Sequence, residues 1–141
     1  MKHSRGLRKS DYETLAAFRY LLRRFIHFSE QAAKAHNITP QQHQALLAIK
    51  GFPERDQVTV GELAERLQLR HHSAVGLVDR LVKEKLVMRK PGKDRREVLV
   101  QLTDHGEQVL AGLSHAHRAE LKKLGPQLRR LLQELDHSSQ Q

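Results

Sequence analysis

The period of the hydrophobic pattern changes midway along the chain, and this change limits the folds available to it. Before the change, apolar residues recur at helical spacing in two short segments, 60–68 and 72–85, which a turn of a few residues separates. After it, residues 87–90 and 98–102 alternate between apolar and polar side chains around a charged loop, as the strands of a hairpin do. The pattern therefore predicts a helix-turn-helix followed by a β-hairpin.

Further helices are predicted on both sides of this segment. Residues 11–36 keep helical spacing without Gly or Pro, and a helix of that length would extend roughly 39 Å. A compact chain of this size has a radius of gyration of about 14 Å, so we expect this helix to pack against a partner subunit. Helices are also predicted over 40–50, over 104–123 and in a last segment that ends at 137, the last two being separated by a Gly-Pro pair.

Three capping boxes, each a Ser or Thr followed three residues later by Glu or Gln, predict where helices begin. They are Ser10…Glu13, Thr39…Gln42 and Thr59…Glu62. Together with the periodicity, they predict a mostly α fold class of six helices with a small β-hairpin.

Composition excludes several classes of protein. The chain has no cysteine, which excludes disulfides, iron–sulfur clusters and thiol catalysis. No apolar run approaches the roughly 20 residues of a membrane span, and the basic start of the chain lacks the apolar core of a signal peptide, so a cytoplasmic protein is expected. We find no nucleophile–base pair, Gly-rich phosphate loop or metal-ligand motif, so neither an enzyme nor a cofactor is predicted.

The positive charge is concentrated in one segment. The chain has 25 Lys and Arg against 16 Asp and Glu, a net charge of +9. Residues 70–96 alone hold nine basic and three acidic residues, a net +6. A charge run is usually a solvated face. This one, however, falls on the hairpin and on the helix at 72–85, whose opposite face is apolar, so it predicts duplex DNA as a partner.

The polar face of the 72–85 helix and the tip of the hairpin supply the predicted DNA contacts. The first residues of such a helix reach deepest into a major groove, where His, Ser and Val side chains read base edges or thymine methyl groups, whereas Arg and Lys suit phosphates. Arg95 or Arg96 is suited to a narrow minor groove. Two plainer interpretations stay open: a solvated His71-His72 pair, and a local Asp94-Arg95-Arg96 ion pair that stabilises the turn. The predicted set is His71, His72, Ser73, Val75, Gly76, Arg80, Lys83, Lys93, Arg95 and Arg96.

Two segments resemble the MarR family (multiple antibiotic resistance regulators). Leu63-Ala64-Glu65-Arg66-Leu67 followed by residues 72–81 is similar to the helix-turn-helix of that family. Residues 94–106 are similar to its wing signature, in which Asp-x-Arg precedes a strand that ends in Leu-Thr and then a Gly. The resemblance extends over nearly the whole chain, with residues 1–9 and 138–141 outside it.

The resemblance implies a single domain over 1–141, in which 40–102 form a winged helix-turn-helix lobe and in which 11–36 and 104–137 are dimerisation helices. It implies a homodimer that binds palindromic promoter DNA, usually as a repressor, and that a small aromatic or carboxylate ligand releases. By position, Ser73, Val75, Gly76 and Arg80 fall in the recognition helix, and Arg95 and Arg96 fall in the wing.

The sequence departs from the family pattern at two positions. Gly76 stands where relatives often have a longer polar side chain, so one base contact is absent or made by the backbone. Lys85 stands where the family commonly has a helix-ending Gly, and a left-handed Lys there would cost on the order of 1 kcal/mol.

The effector and the alternative functions are less constrained. Tyr20, Arg24 and His27 on the first helix are candidates to bind an anionic ligand. The ten His residues suggest a metal-responsive regulator, but His115 and His117 lie about 200° apart on a helix and cannot grip one ion without another chain, so no metal site is predicted. A winged-helix module that contacts protein or RNA is the other alternative.

Overall fold

The computed structural model of this chain describes residues 6–94 and 96–140, the last three of them without their side chains. Within these residues the fold is mostly helical with a small sheet, which confirms the predicted fold class. Its contacts divide it into two compact units, a winged unit (32–115) and a helical unit (6–31 with 116–140). The elements in chain order are α1 (Lys9–Ala35), α2 (Pro40–Lys50), β1 (Gln57–Val58), α3 (Val60–Leu67), α4 (His71–Lys83), β2 (Val87–Pro91), β3 (Val98–Leu102) and α5 (Asp104–Gln140).

Two of the three predicted capping boxes are confirmed. The hydroxyl of Thr39 accepts a hydrogen bond from the backbone of Gln42 at 3.0 Å, and the Gln42 side chain accepts one from the backbone of Thr39 at 2.9 Å. Thr59 and Glu62 make the same reciprocal pair at 3.1 and 2.9 Å. Each pair satisfies two amides that a helix start would otherwise leave unbonded, so α2 and α3 begin where the sequence predicts.

The capping box predicted at Ser10 is wrong. The first helix begins at Lys9, so Ser10 already lies inside it. The carboxylate of Asp11 accepts the hydrogen bond from the backbone amide of Arg8, at 2.9 Å, and so closes the start of the helix earlier than the Ser10 box would. A charged acceptor near a helix N-terminus also interacts favourably with the helix dipole.

The sheet has three antiparallel strands with β3 in the centre. The predicted hairpin is confirmed, and its register pairs Val87 with Leu102 and Pro91 with Val98. The strand β1, which pairs Val58 with Val100, was not predicted. Two residues are too few to show an alternating pattern, so only the sheet itself identifies them as a strand.

The core of the winged unit joins the faces of its helices to one face of the sheet. Leu46 and Ile49 of α2, Leu77 and Leu81 of α4 and Val100 of β3 are buried almost completely. Because the apolar side of α4 is fixed in this core, its opposite side is held facing solvent.

Three helices end in the same left-handed turn without a glycine. Asn37, Gln68 and Lys85 have φ values of 61°, 54° and 61°. In each case the next residue donates its amide hydrogen to the carbonyl five residues earlier, the bond typical of a Schellman motif. These bonds run from Ile38 to Ala33 at 3.1 Å, from Leu69 to Ala64 at 2.8 Å and from Leu86 to Leu81 at 2.9 Å. The turn between α3 and α4 is thereby reduced to residues 68–70.

The prediction of six helices is wrong at Gly125-Pro126. One helix, α5, continues through Pro126 to Gln140, so five helices are present among the described residues. Proline removes one helical hydrogen bond and disfavours a helix interior. The apolar residues 121, 124, 128, 131 and 135 nevertheless keep a 3-4 spacing across it, and packing of that stripe outweighs the local preference of a Gly-Pro pair.

In the helical unit, a histidine of α5 contacts α1. The ring of His117 makes edge contacts with Phe25 and Phe28, at centroid distances of 5.7 and 5.3 Å. Its Nε2 lies 2.8 Å from the hydroxyl of the buried Ser29. This histidine has an interhelical packing role, which separates it from any metal pair with His115.

Candidate nucleic-acid interface

The N-terminal turn of α4 presents polar side chains to solvent. His71, His72 and Ser73 are all exposed. The helix begins after Arg70, whose side chain makes no capping hydrogen bond. The first amides of α4 are therefore not covered by a side-chain cap, which leaves the end of the helix open to a ligand.

The middle of the exposed face of α4 carries only small side chains. Val75 is 36% exposed, and a Cβ built on Gly76 would have no neighbour within 4 Å. The fold therefore does not require glycine at position 76. The missing side chain lowers the surface and allows close approach of another molecule to the backbone.

The last turns of the face carry charge of both signs. Arg80 and Lys83 are exposed. Between them and the wing, the carboxylate of Asp79 pairs with the guanidinium of Arg89 on β2, and both side chains are substantially exposed. This pair, which the sequence did not predict, links α4 to the first strand of the hairpin.

The hairpin tip is closed by backbone hydrogen bonds. The amide of Gly92 donates to the carbonyl of Glu97 at 2.8 Å, and the amide of Glu97 donates to that of Asp94 at 2.9 Å. The carboxylate of Asp94 accepts a 3.3 Å bond from the backbone amide of Arg96. Asp94 thus stabilises the turn through the backbone, and the side chain of Arg96 is exposed.

Two more predicted wing residues have different outcomes. Lys93 is exposed at the tip. Arg95 lies outside the described residues, so the ion pair predicted for it stays a prediction.

The end of α4 is bonded to the start of α5 at what we call the α4–α5 joint, made of Lys85, Leu86, Thr103 and Gly106. The hydroxyl of Thr103 donates to the carbonyl of Lys85 at 2.6 Å and accepts from the amide of Gly106 at 3.0 Å. The Thr103 amide donates to the carbonyl of Leu86 at 3.1 Å. Because Leu86 directly precedes β2, this joint fixes where the hairpin follows α4.

A second cluster on the winged unit combines an aromatic ring with charges. The Cζ atoms of Arg55 and Arg66 lie 4.5 and 4.9 Å from the centre of the Phe52 ring, and Arg55 also pairs with Glu62. An open groove beside them is lined by Phe52, Thr59, Gly61, Glu62, Glu65 and Arg66. The mixture of signs favours no single ligand, and we assign this cluster to the stability of the α3 start.

The predicted effector residues share an exposed face of α1. Tyr20, Arg24 and His27 are exposed, and the Arg24 guanidinium carbon lies 5.8 Å from the centre of the Tyr20 ring. The structure therefore brings Tyr20 and Arg24 together.

Among the described residues, no group of three metal-ligating side chains is placed to hold an ion. No helix in the same residues is long and apolar enough to cross a membrane.

The arrangement defines a class of protein. A short helix α3, a tight turn and a helix α4 with an exposed polar face are followed directly by the β2–β3 hairpin, so this is a winged helix-turn-helix protein.

Residues 36–97 match the sequence model described as the MarR family. The HTH-type transcriptional repressor MdtR of Bacillus subtilis (strain 168) is 32% identical over 87 residues, which cover 58% of this chain and 54% of MdtR. The chain thus spans about half the length of that relative.

Solved structures extend the likeness to nearly the whole chain. AbsC, a MarR family transcriptional regulator from Streptomyces coelicolor, has a TM-score of 0.72 at 21% identity, covering 96% of this chain and 93% of AbsC. A point mutant of MepR from S. aureus, solved bound to an oligodeoxyribonucleotide, has a TM-score of 0.67 at 21% identity, covering 89% of this chain and 96% of MepR. The chain therefore resembles the MarR family in the sequence of residues 36–97 and in its fold, as its motifs predicted.

Proposed function

We propose that this chain is a sequence-specific, double-stranded DNA-binding transcriptional regulator that acts as a homodimeric repressor and is released by a small molecule. The observation that carries the proposal is the exposed face of α4, where His71, His72 and Ser73 precede Arg80 and Lys83. Such a face offers groups for base edges at its start and cations for phosphates at its end. The related fold of MepR has been solved with an oligodeoxyribonucleotide, which supports the same ligand here.

In the proposed complex, two recognition helices of a dimer enter successive major grooves about one helical turn, roughly 34 Å, apart. Ser73 and Val75 lie where the helix meets base edges, and the open surface at Gly76 lets the backbone approach them. The exposed Lys93 and Arg96 of the wing bind the flanking backbone or minor groove.

An apolar stripe on α1 supports the homodimer. Tyr12, Leu15, Leu22 and Ile26 recur at helical spacing and are 56%, 45%, 39% and 53% exposed. On α5, Leu121 and Leu132 are also about half exposed, at 46% and 51%. Contiguous exposed apolar side chains of this kind are typical of a protein–protein interface, and a second copy of the chain would bury them.

Release by an effector requires a ligand that binds better to a dimer unable to hold DNA, because only differential affinity shifts the equilibrium. The Tyr20 ring and the adjacent Arg24 guanidinium offer a stacking surface and a cation, and His27 lies on the same face. These groups fit a small aromatic carboxylate.

The DNA-binding proposal is tested by fluorescence anisotropy with the duplex upstream of the protein's own gene and with a scrambled duplex of the same composition. We expect a large preference for the native duplex, with two chains bound per site. Ser73→Ala should reduce that preference, whereas Arg96→Ala should weaken binding to both duplexes and flatten its dependence on salt. Lys34→Ala, which removes an exposed charge of α1 and leaves α4 and the hairpin unchanged, is the matched control. Equal affinity for both duplexes would contradict sequence-specific recognition.

The dimer is tested separately by multi-angle light scattering. Wild-type protein should have twice the chain mass, and Leu22→Glu with Ile26→Glu should reduce it to one chain, because charges at those positions cannot be buried between subunits. A monomeric wild type would contradict the proposed dimer.

A further inference from the structure

Gly76 lies on the side of α4 that faces solvent. At about 100° per residue, it is about 160° around the helix from the buried Val78 and about 140° from the buried Leu81. His72 and Arg80, one turn before it and one turn after it, are both exposed. The shortest residue of the exposed face therefore stands between two long side chains, and we call the space beside its Cα the Gly76 gap.

The fold gives no reason for a glycine at this position. A Cβ built on Gly76 would have no neighbour within 4 Å, and no described glycine has a positive φ. Gly106 is different, because a Cβ there would lie 2.0 Å from the carbonyl oxygen of Leu86. Glycine inside a helix is less stable than alanine, so position 76 lowers the stability of α4 without a packing reason. Residues of that kind are expected at functional sites.

The Gly76 gap is apolar. The amide and the carbonyl of Gly76 lie inside α4, where helix hydrogen bonds occupy them, so the residue offers only its Cα hydrogens. The neighbouring Val75 adds methyl groups, since its side chain is 36% exposed. The carboxylate of Asp79, one turn further on, is paired with Arg89. A ligand group that fits this gap is small and apolar.

One group on the base edges of duplex DNA has that chemistry. In the major groove, guanine is read by Arg or Lys, adenine by Asn or Gln and cytosine by Asp or Glu, whereas the C5-methyl group of thymine is read by apolar contact. Gly76 has no side chain for the first three bases. The thymine methyl group, in contrast, has the size of the Cβ that Gly76 lacks, so the gap has room for it.

We propose that Gly76 determines specificity by admitting the C5-methyl group of one thymine in the major groove. The inference rests on the proposed function, because it takes the exposed face of α4 as the surface that binds DNA. It adds to that function a base of stated identity opposite position 76, which a longer side chain at that position would exclude.

The test uses a duplex that the wild-type protein enriches from a randomised library. Each thymine of this duplex is replaced singly by deoxyuridine, which removes the C5-methyl group and leaves the hydrogen-bonding groups of the base unchanged. Competition anisotropy measures the affinity for each duplex. For each bound α4, we expect one thymine whose replacement weakens binding by wild type about fourfold, the change that one buried methyl group gives.

Gly76→Ala should reverse this preference. Its added methyl group would meet the thymine methyl group, so the variant should bind the thymine duplex about tenfold more weakly than wild type does, as overpacked contacts do. It should bind the deoxyuridine duplex more tightly than the thymine duplex, because only one methyl group then occupies the gap. Thermal unfolding should show no loss of stability in the variant, which separates the loss of affinity from a loss of fold.

The matched control is Gly61→Ala on α3, where a Cβ would meet only the hydroxyl of Thr59 at 3.8 Å. It should keep the wild-type ratio of the two affinities. The proposal is overturned if no thymine methyl group affects binding, or if wild type and Gly76→Ala show the same methyl effect. Tighter binding of the thymine duplex by Gly76→Ala would also overturn it, because the gap would then be empty in the complex.

Failure of the proposed function gives a different result. If no sequence is enriched from the library, sequence-specific recognition is rejected, and the role of Gly76 with it. If a sequence is enriched and all of its thymines tolerate deoxyuridine, only the role of Gly76 is rejected.

Discussion

The hydroxyl of Thr103 bonds to the carbonyl oxygen of Lys85 at 2.6 Å, and Lys85 is itself in a left-handed conformation with φ of 61°. The strained residue is thus held by the strand-to-helix connection that follows the wing. The sequence reasoning anticipated a left-handed cost at this position, and the structure supplies the contact that holds the residue there.

Lys85→Gly should increase the free energy of unfolding by about 1 kcal/mol, because glycine adopts positive φ without a Cβ clash. Part of the gain is offset by the greater freedom of glycine in the unfolded chain. Urea denaturation measures the change. Lys85→Ala keeps the Cβ and removes the charge, so it should give no such gain; an equal gain from alanine would assign the effect to charge instead of strain.

Gly106→Ala should destabilise the winged unit by about 3 kcal/mol, at the upper end of overpacking effects. A Cβ at this position would lie 2.0 Å from the carbonyl oxygen of Leu86, and the α4–α5 joint holds the backbone of both Gly106 and Leu86 in place. Thermal unfolding measures the loss. Gly76→Ala, in an open helical position, should instead stabilise by roughly 0.5–1 kcal/mol, and the prediction fails if the two substitutions behave alike.

The Asp79–Arg89 pair should contribute little to stability. Its side chains are 60% and 40% exposed, and exposed ion pairs typically contribute about 0.2–1 kcal/mol. A double-mutant cycle with Asp79→Ala and Arg89→Ala measures the coupling in urea. We expect the coupling to disappear at about 1 M salt, where charges are screened within about 3 Å; a coupling that persists there would show a desolvated contact.

Stability in acid should depend on Glu62. Burial raises the pKa of this carboxyl, but hydrogen bonds from the Thr59 backbone and the Arg55 guanidinium outweigh burial and lower the pKa below its ordinary 4.5. A carboxyl whose pKa is lowered by folding stabilises the protein above its unfolded pKa, and this stabilisation is lost as the pH falls through the folded pKa.

Glu62→Gln should therefore lower the melting temperature at neutral pH and make the decline below about pH 4.5 shallower. Melting curves between about pH 7 and about pH 3 measure both effects. Glu65→Gln, on the same helix but outside the capping box, is the control. Parallel pH profiles for wild type and Glu62→Gln would contradict the assigned role.

Elements with several turns or several alternating residues were predictable because their packing repeats along the sequence. Residues 72–85 predicted α4 within two residues at each end, and the predicted hairpin strands agree with β2 and β3. Two predictions failed because they depended on distant or competing contacts. The strand β1 was missed because it is defined only by its pairing with β3. The helix break at Pro126 was wrongly predicted because the apolar stripe of α5 continues past it.

The exposed face of α4 could also be predicted from the sequence. The spacing of its apolar residues identifies the buried side of the helix, and the opposite side must then face solvent. The Asp79–Arg89 pair could not be predicted from the sequence, because Asp79 lies on α4 and Arg89 on β2, and no rule of sequence spacing connects the two. The contacts of Arg55 and Arg66 with the Phe52 ring could not be predicted from the sequence either.

The Leu-Thr-x-x-Gly end of the wing signature, Leu102 to Gly106 in this chain, has a structural role. Thr103 and Gly106 contact the backbone of Lys85 and Leu86 instead of a solvent-facing ligand surface. This part of the signature therefore reflects the architecture of the α4–α5 joint and is separate from the exposed face of α4. The exposed residues of the α4 face can therefore change without disturbing the joint, whereas Thr103 and Gly106 are held in place by their contacts with its backbone.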